Sequence, residues 1–168
     1  EGVLGLSALN FDLSIFDIFG SIYMGGFLSL IKDPRNAEEI SHMLEQFPIT
    51  IWNSVPAIMK LFLESLPVDY RNTEINHIFL SGDWIGTELP EKIKKVFTNA
   101  EIISLGGATE ASIWSIYFPI REVRKEWSSI PYGYPLGNQK IYILNKEGEV
   151  CPTNVVGEIC IGGRGVAL

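Results

Sequence analysis

The chain has 168 residues, of which 46% are hydrophobic and 20% charged, and its formal net charge is −7. That length suffices for one domain with its own core, and the composition is that of a soluble globular protein rather than a disordered one. The negative balance argues against a nucleic-acid partner, which needs a basic patch, and no window approaches the ~18 consecutive apolar residues of a membrane span. No signal-peptide pattern opens the chain. Its two cysteines, Cys151 and Cys160, lack metal-ligand spacing, so buried or idle thiols in a reducing cytoplasm are expected. The abrupt ends, Glu1 and "GRGVAL", suggest a piece of something larger.

Taken in order, Val3–Ala8 predicts a buried strand and Ser14–Met24 a helix, with Ser14 as N-cap and Gly25 as its stop. Phe27–Ile31 predicts a strand. A helix over Asn36–Phe47 follows, capped by Asn36, with Glu39 at the reciprocal position of a capping box. Ile49–Asn53 predicts a strand, and Pro56 suits the first turn of a helix running to Leu66. Ile78–Ser81 is a strand, Leu89–Phe97 a helix and Glu101–Leu105 a strand. Such alternation predicts an α/β fold with a largely parallel sheet flanked by helices. The texture then changes. Short β runs at Trp114–Phe118, Lys140–Leu144 and Val156–Ile161 are split by Gly, Pro and Asn, and Asn145–Glu149 is a hairpin turn signal. The expected division is an α/β layer over residues 1–125 and the start of a small antiparallel β subdomain over 126–168.

The unusual residues fall at the carboxyl ends of predicted strands, the edge where open parallel sheets bind ligands. "NFDLS" follows the first strand, Asn53 ends another, "SGDW" follows Ile78–Leu80, and "LGGATE" follows Ile102–Ser104. Asp12 can cap the helix after it. Yet a carboxylate among Phe11, Leu13, Ile15 and Phe16 is costly unless paired, and an ammonium would be its natural partner. Asn53 and Ser81 can serve strand-end backbone groups, and Phe16 and Trp114 can be core. Thr109 and Glu110 can begin a helix. The preceding Gly106 and Gly107 favour another reading: bare backbone approaches an anion, a hydroxyl contacts phosphate, and a carboxylate holds Mg²⁺. Neither GxxxxGK[ST] nor GxGxxG is present, so P-loop and Rossmann sites are not expected. His42 and His77 belong to no zinc-type cluster.

Jointly these segments resemble the adenylation domains of non-ribosomal peptide synthetases, within the adenylate-forming ligase superfamily. "NFDLS" is similar to the family's FDxS, "SLGGATEAS" to NxYGPTE, "IPYGYPLGNQKIYILN" to GxPIxNxxxYIL, and "GEICIGGRGVAL" to a shortened GELxIxGxGxARGYL. The resemblance implies an enzyme that uses ATP and Mg²⁺ to convert an amino acid to its adenylate, then loads it onto the phosphopantetheine thiol of a carrier-protein domain. It implies that Asp12 pairs with the substrate ammonium, that Thr109 faces the α-phosphate, and that Glu110 holds the metal. Gly82 and the backbone of Gly106, Gly107 and Ala108 would flank adenine. It places Asp12, Leu13, Phe16, Asn53, Phe79, Ser81, Leu105, Ile113 and Trp114 around the amino-acid side chain. That set is narrow and weakly polar, which favours cysteine and leaves serine, threonine or a small aliphatic residue open. Gly106 stands where the family has tyrosine and Ala108 where it has proline.

The family's upstream phosphate loop, its downstream ribose-binding aspartate and its carboxylate-contacting lysine lie outside this stretch. The piece alone is therefore expected to be inactive. An aryl-acid or acyl-CoA ligase of the same superfamily is the alternative enzyme, disfavoured by Asp12. A non-catalytic nucleotide- or metabolite-binding module is the alternative of another class.

Overall fold

The computed structural model describes residues 1–167. Two compact units emerge, one made of residues 1–104 and 119–131, the other of 105–118 and 132 onward.

The first unit opens with β1 (Gly2–Gly5), followed by a helical stretch built as α1 (Leu13–Ile15), a π turn (Phe16–Gly20) and α2 (Ser21–Tyr23). Then come β2 (Phe27–Leu30), α3 (Ala37–Gln46), β3 (Ile51–Ser54), α4 (Pro56–Ser65), β4 (His77–Leu80), α5 (Leu89–Val96) and β5 (Glu101–Gly106). The strands lie in the order β2-β1-β3-β4-β5. All four pairings are parallel, with Val3 beside Leu28 and Ile51, Asn53 beside Phe79, and Ile78 beside Ile102. The predicted α/β class holds.

Alternation along β3 sets the two faces of this sheet. Trp52 and Ser54 share one face, and Trp52 Nε1 donates to Ser54 Oγ at 2.7 Å. On that face Trp52 packs against Phe62 of α4 and against Phe97, with ring centroids 5.1 and 5.9 Å away. All three rings are essentially inaccessible to water, and burying each such side chain contributes about 1.5–3 kcal/mol. Asn53 points the opposite way, toward the π turn, because successive strand residues alternate.

Local details differ from the sequence expectation. The first helix begins at Leu13, and Ser14 does not cap it; its Oγ donates to the Leu9 carbonyl at 3.4 Å. The residue at the cap position is Asp12, already helical at φ −62° and ψ −23°, and its side chain makes no capping bond. Gly25, at φ +66°, follows the last helical turn as expected. Asn36 does cap α3, accepting from the amides of Glu38 and Glu39. The reciprocal half of the capping box is absent. Glu39 instead accepts from the amides of Lys32 and Asp33, while the Asn36 amide is taken by the Asp33 carbonyl.

In the second unit, a 3-10 turn (Thr109–Ala111) leads to β6 (Ile116–Pro119). This strand pairs antiparallel with β7 (Tyr134–Pro135), a short strand that the sequence pattern did not suggest. β8 (Gln139–Leu144) and β9 (Glu158–Gly163) form an antiparallel pair running from Gln139–Gly163 to Leu144–Glu158. The Asn145–Glu149 turn forms where expected, closed by the Asn145 amide on the Glu149 carbonyl at 2.9 Å, with Gly148 at φ +81°. Leu168, the last residue of the final motif, lies outside the described residues.

Candidate functional site

Within the first unit, several of the singled-out residues converge on the sheet face that carries Asn53. Phe79 lies beside Asn53 in the neighbouring strand. Its ring meets Phe16 of the π turn edge-on, with centroids 5.6 Å apart. Ser81 follows Phe79 by two residues, is buried, and donates its amide to the Ser54 carbonyl at 3.3 Å. Asp12 is half-buried and Leu13 buried at the start of the same helix that carries Phe16. Gly82, at φ +81°, lies against Val55 and Phe11. Single π turns inside helices are rare and recur at functional sites. Here the turn delivers Phe16 and the next residue, Asp17, to the sheet.

Asp17 was missed by the sequence reading. Its relative exposure is 2% and that of Asn53 is 0%, and Asn53 Nδ2 donates to Asp17 Oδ1 at 2.8 Å. The other oxygens of the pair, Asp17 Oδ2 and Asn53 Oδ1, are buried with no hydrogen-bond partner. In "IFDIF" a carboxylate again sits in an apolar run and needs a partner, as Asp12 does, and that pattern marks Asp17. Burial pushes the Asp17 carboxyl from 3.8 up to about 6, against the opposing pull of the hydrogen bond from Asn53. The folded state therefore holds this proton more tightly than the unfolded chain does. Stability falls as pH rises from about 4 to about 6, and the deficit stays constant above that. Asp17→Asn is expected to melt at a higher temperature than the unmodified protein near pH 7.5, the gain vanishing below about pH 4. Thermal unfolding across this range checks it, and a difference that does not change with pH would refute it.

In the second unit, "GGATEASIWS" folds back upon itself. The Ser115 amide donates to the Gly106 carbonyl at 2.7 Å, and the Ala111 amide to the Ala108 carbonyl at 2.8 Å. A Cβ on Gly107 would lie 2.6 Å from the Ile113 carbonyl oxygen, 2.7 Å from the Ser115 nitrogen and 2.8 Å from the Trp114 Cα. All three are backbone atoms, so only glycine fits. A Cβ on Gly106 would lie 2.7 Å from Cε2 of the Tyr132 ring. Ser112 and Ile113 are both left-handed, at φ 63° and 69°. For a β-branched residue this is a true outlier, and such strain, worth about 1–3 kcal/mol, concentrates at functional sites. The chain's last motif holds the turn in place. Ala167 N donates to the Glu110 carbonyl at 2.7 Å, and Ser112 Oγ to the Gly165 carbonyl at 2.8 Å. Two motifs distant in sequence are thus one piece of structure. Leu105, Ile113 and Trp114 are half-buried around this turn, while Thr109 and Glu110 are exposed on it.

Among the described residues no group of three or more His, Cys, Asp or Glu gathers around one point. The fit to Mg²⁺ rests on Glu110, an exposed carboxylate that enters none of the ion pairs of the described residues. Mg²⁺ suits such a site, since it commonly takes one or two carboxylates together with substrate phosphates. Cys151 and Cys160 are free thiols. No helix of the described residues is long and apolar enough to cross a membrane.

Comparison with known proteins gives the family. The chain matches the family described as "AMP-binding enzyme" over residues 1–168. It is 53% identical to Bacitracin synthase 1 of Bacillus licheniformis, an alignment that covers 99% of this chain and 3% of that protein. It is 42% identical to Pyochelin synthetase PchF of Pseudomonas aeruginosa, covering 100% of this chain and 10% of that one. The non-ribosomal peptide synthetase FmoA3, solved in its alpha-methyl-L-serine-AMP bound form, superposes with a TM-score of 0.91 at 31% identity, covering 100% of this chain and 20% of that one. The chain therefore spans only a small part of each relative. It belongs to the AMP-binding enzyme family, as a segment of a non-ribosomal peptide synthetase adenylation domain.

Proposed function

We propose that the protein containing this segment activates cysteine with ATP and passes it to the phosphopantetheine thiol of a carrier domain. In the activating step a carboxylate oxygen of the amino acid attacks the α-phosphorus. The bond from that phosphorus to its bridging oxygen breaks, and pyrophosphate leaves with the electron pair. Asp12 pairs with the substrate ammonium. Phe16, Phe79, Leu105, Ile113 and Trp114 wall the side chain together with Leu13, while Asn53 and Ser81 supply small polar contacts. Thr109 donates its hydroxyl to an α-phosphate oxygen, and the backbone of Gly82 and of Gly106–Ala108 flanks adenine. Mg²⁺, held by Glu110 together with the phosphates, would neutralise their charge. The segment by itself lacks the groups that the resemblance puts elsewhere in the domain, and we take it to be inactive alone.

The observation that supports this reading most is the contact of Phe16, Phe79 and Asn53 on one sheet face, beside an Asp12 that is not spent on capping. Cysteine is favoured because those rings leave little room and the polar groups present are small and uncharged. FmoA3, bound to an alpha-methyl-serine adenylate, offers a parallel, since serine differs from cysteine by one chalcogen. The test is ATP–pyrophosphate exchange by the full-length protein with every proteinogenic amino acid. Cysteine is expected to rank first; a rank well below serine or valine would overturn the substrate assignment.

A further inference from the structure

We propose that Asp17 is a positioning residue for the side-chain pocket: by accepting the Asn53 N–H it leaves Asn53 Oδ1 as the acceptor for a substrate S–H or O–H. This rests on the amino-acid-activating reading above and deepens it. A primary amide is ambiguous, because a half-turn exchanges its donor and acceptor ends with almost no change of shape. Left to itself, Asn53 could offer either end. An ionised carboxylate only accepts, so beside Asp17 the NH₂ end must face it, as observed at 2.8 Å. With the amide so fixed, Oδ1 is a buried acceptor without a partner. Such groups are costly to leave unpaired and are retained where a donor arrives to meet them. Phe16 precedes Asp17 in the π turn and touches Phe79, so the residue that orients the acceptor is covalently tied to a wall of the pocket. A small side chain ending in a hydrogen-bond donor satisfies both. One that ends in a methyl group fills the same space and leaves Oδ1 unpaired.

The experiment compares L-cysteine with L-2-aminobutyrate, in which a methyl group replaces the thiol, by pyrophosphate exchange with the full-length protein. The unmodified enzyme is expected to prefer cysteine. Asp17→Ala is expected to lower the ratio of the two kcat/KM values roughly tenfold, through a higher KM for cysteine, with aminobutyrate nearly unaffected. Asp17→Asn, whose amide can present either its oxygen or its NH₂ to Asn53, is expected to give a ratio between those of Asp17→Ala and the unmodified enzyme. A merely structural role would depress both substrates equally. Equal losses, or an unchanged ratio in a folded Asp17→Ala protein, would overturn the proposal. Should that variant fail to fold, Asp17→Ser, too short to reach Nδ2, is read by the same criteria. An unmodified enzyme that activates cysteine no better than aminobutyrate would sink both the cysteine reading and this inference. A normal preference that survives Asp17→Ala would sink the inference alone.

Discussion

Replacing Asp12 with alanine in the full-length protein is expected to cut kcat/KM in pyrophosphate exchange by roughly 30- to 5000-fold, with every amino acid alike. Removing one partner of a desolvated, hydrogen-bonded charge pair costs about 2–5 kcal/mol, much of it from the charge left behind. Every amino acid carries the ammonium, so the loss is indifferent to the side chain. This separates Asp12 from Asp17, five residues along the same helical stretch, whose removal should change preference. Asp12→Asn keeps the shape and discards the charge, and most of the loss should remain. Asp12 lies at a helix start in helical conformation, and its side chain makes no capping bond. KM for ATP should stay within about threefold, since the ammonium partner is not a nucleotide contact. An Asp12→Ala enzyme that loses activity with some amino acids and keeps it with others would refute the assignment.

Gly107→Ala is the second large effect. The added methyl meets three backbone atoms of residues 113–115 at 2.6–2.8 Å. A flexible side chain could swing away, but these atoms can yield only if the turn opens and the bond from Ser115 N to the Gly106 carbonyl stretches. Overpacking of this kind costs about 1–3 kcal/mol of stability. The expected loss in exchange is larger, about 100-fold, because a shift of ~1 Å in groups that face reacting atoms suffices for that. Gly137→Ala is the control, since a Cβ there meets nothing within 4 Å. Thermal unfolding and exchange assays on both variants check the argument. Unchanged activity in Gly107→Ala would mean that the turn adopts another shape when the enzyme works.

Much of this was readable from the amino-acid order. The strand and helix alternation was visible because each strand of the first unit is a short apolar run, and breakers or caps such as Gly25, Pro56 and Asn36 separate the elements. The placement of Asn53, Ser81 and Gly106–Glu110 at strand ends followed directly. What escaped has physical reasons. The π turn has no sequence signature, since its dihedral angles differ little from those of an α-helix, so the register that brings Asp17 onto Asn53 could not be foretold. β7 holds only Tyr134 and Pro135, and its pairing with β6 is set by tertiary contact rather than propensity. The capping box failed because Glu39 had better-placed donors at Lys32 and Asp33. The strained pair Ser112–Ile113 was invisible too, because nothing in "ASIW" forbids an ordinary turn.

The contact between Gly106 and Tyr132 bears on how such sites can be rebuilt. The Tyr132 ring and any side chain at 106 claim the same volume, with Ile116 closing the space from the other side at 3.0 Å. A side chain at 106 therefore requires the Tyr132 ring to move. A large side chain introduced at 106 meets the Tyr132 ring where it now lies. Because the Tyr132 ring is half exposed, it can turn outward to admit a side chain at 106, so substitutions at 106 should be read together with the placement of residue 132.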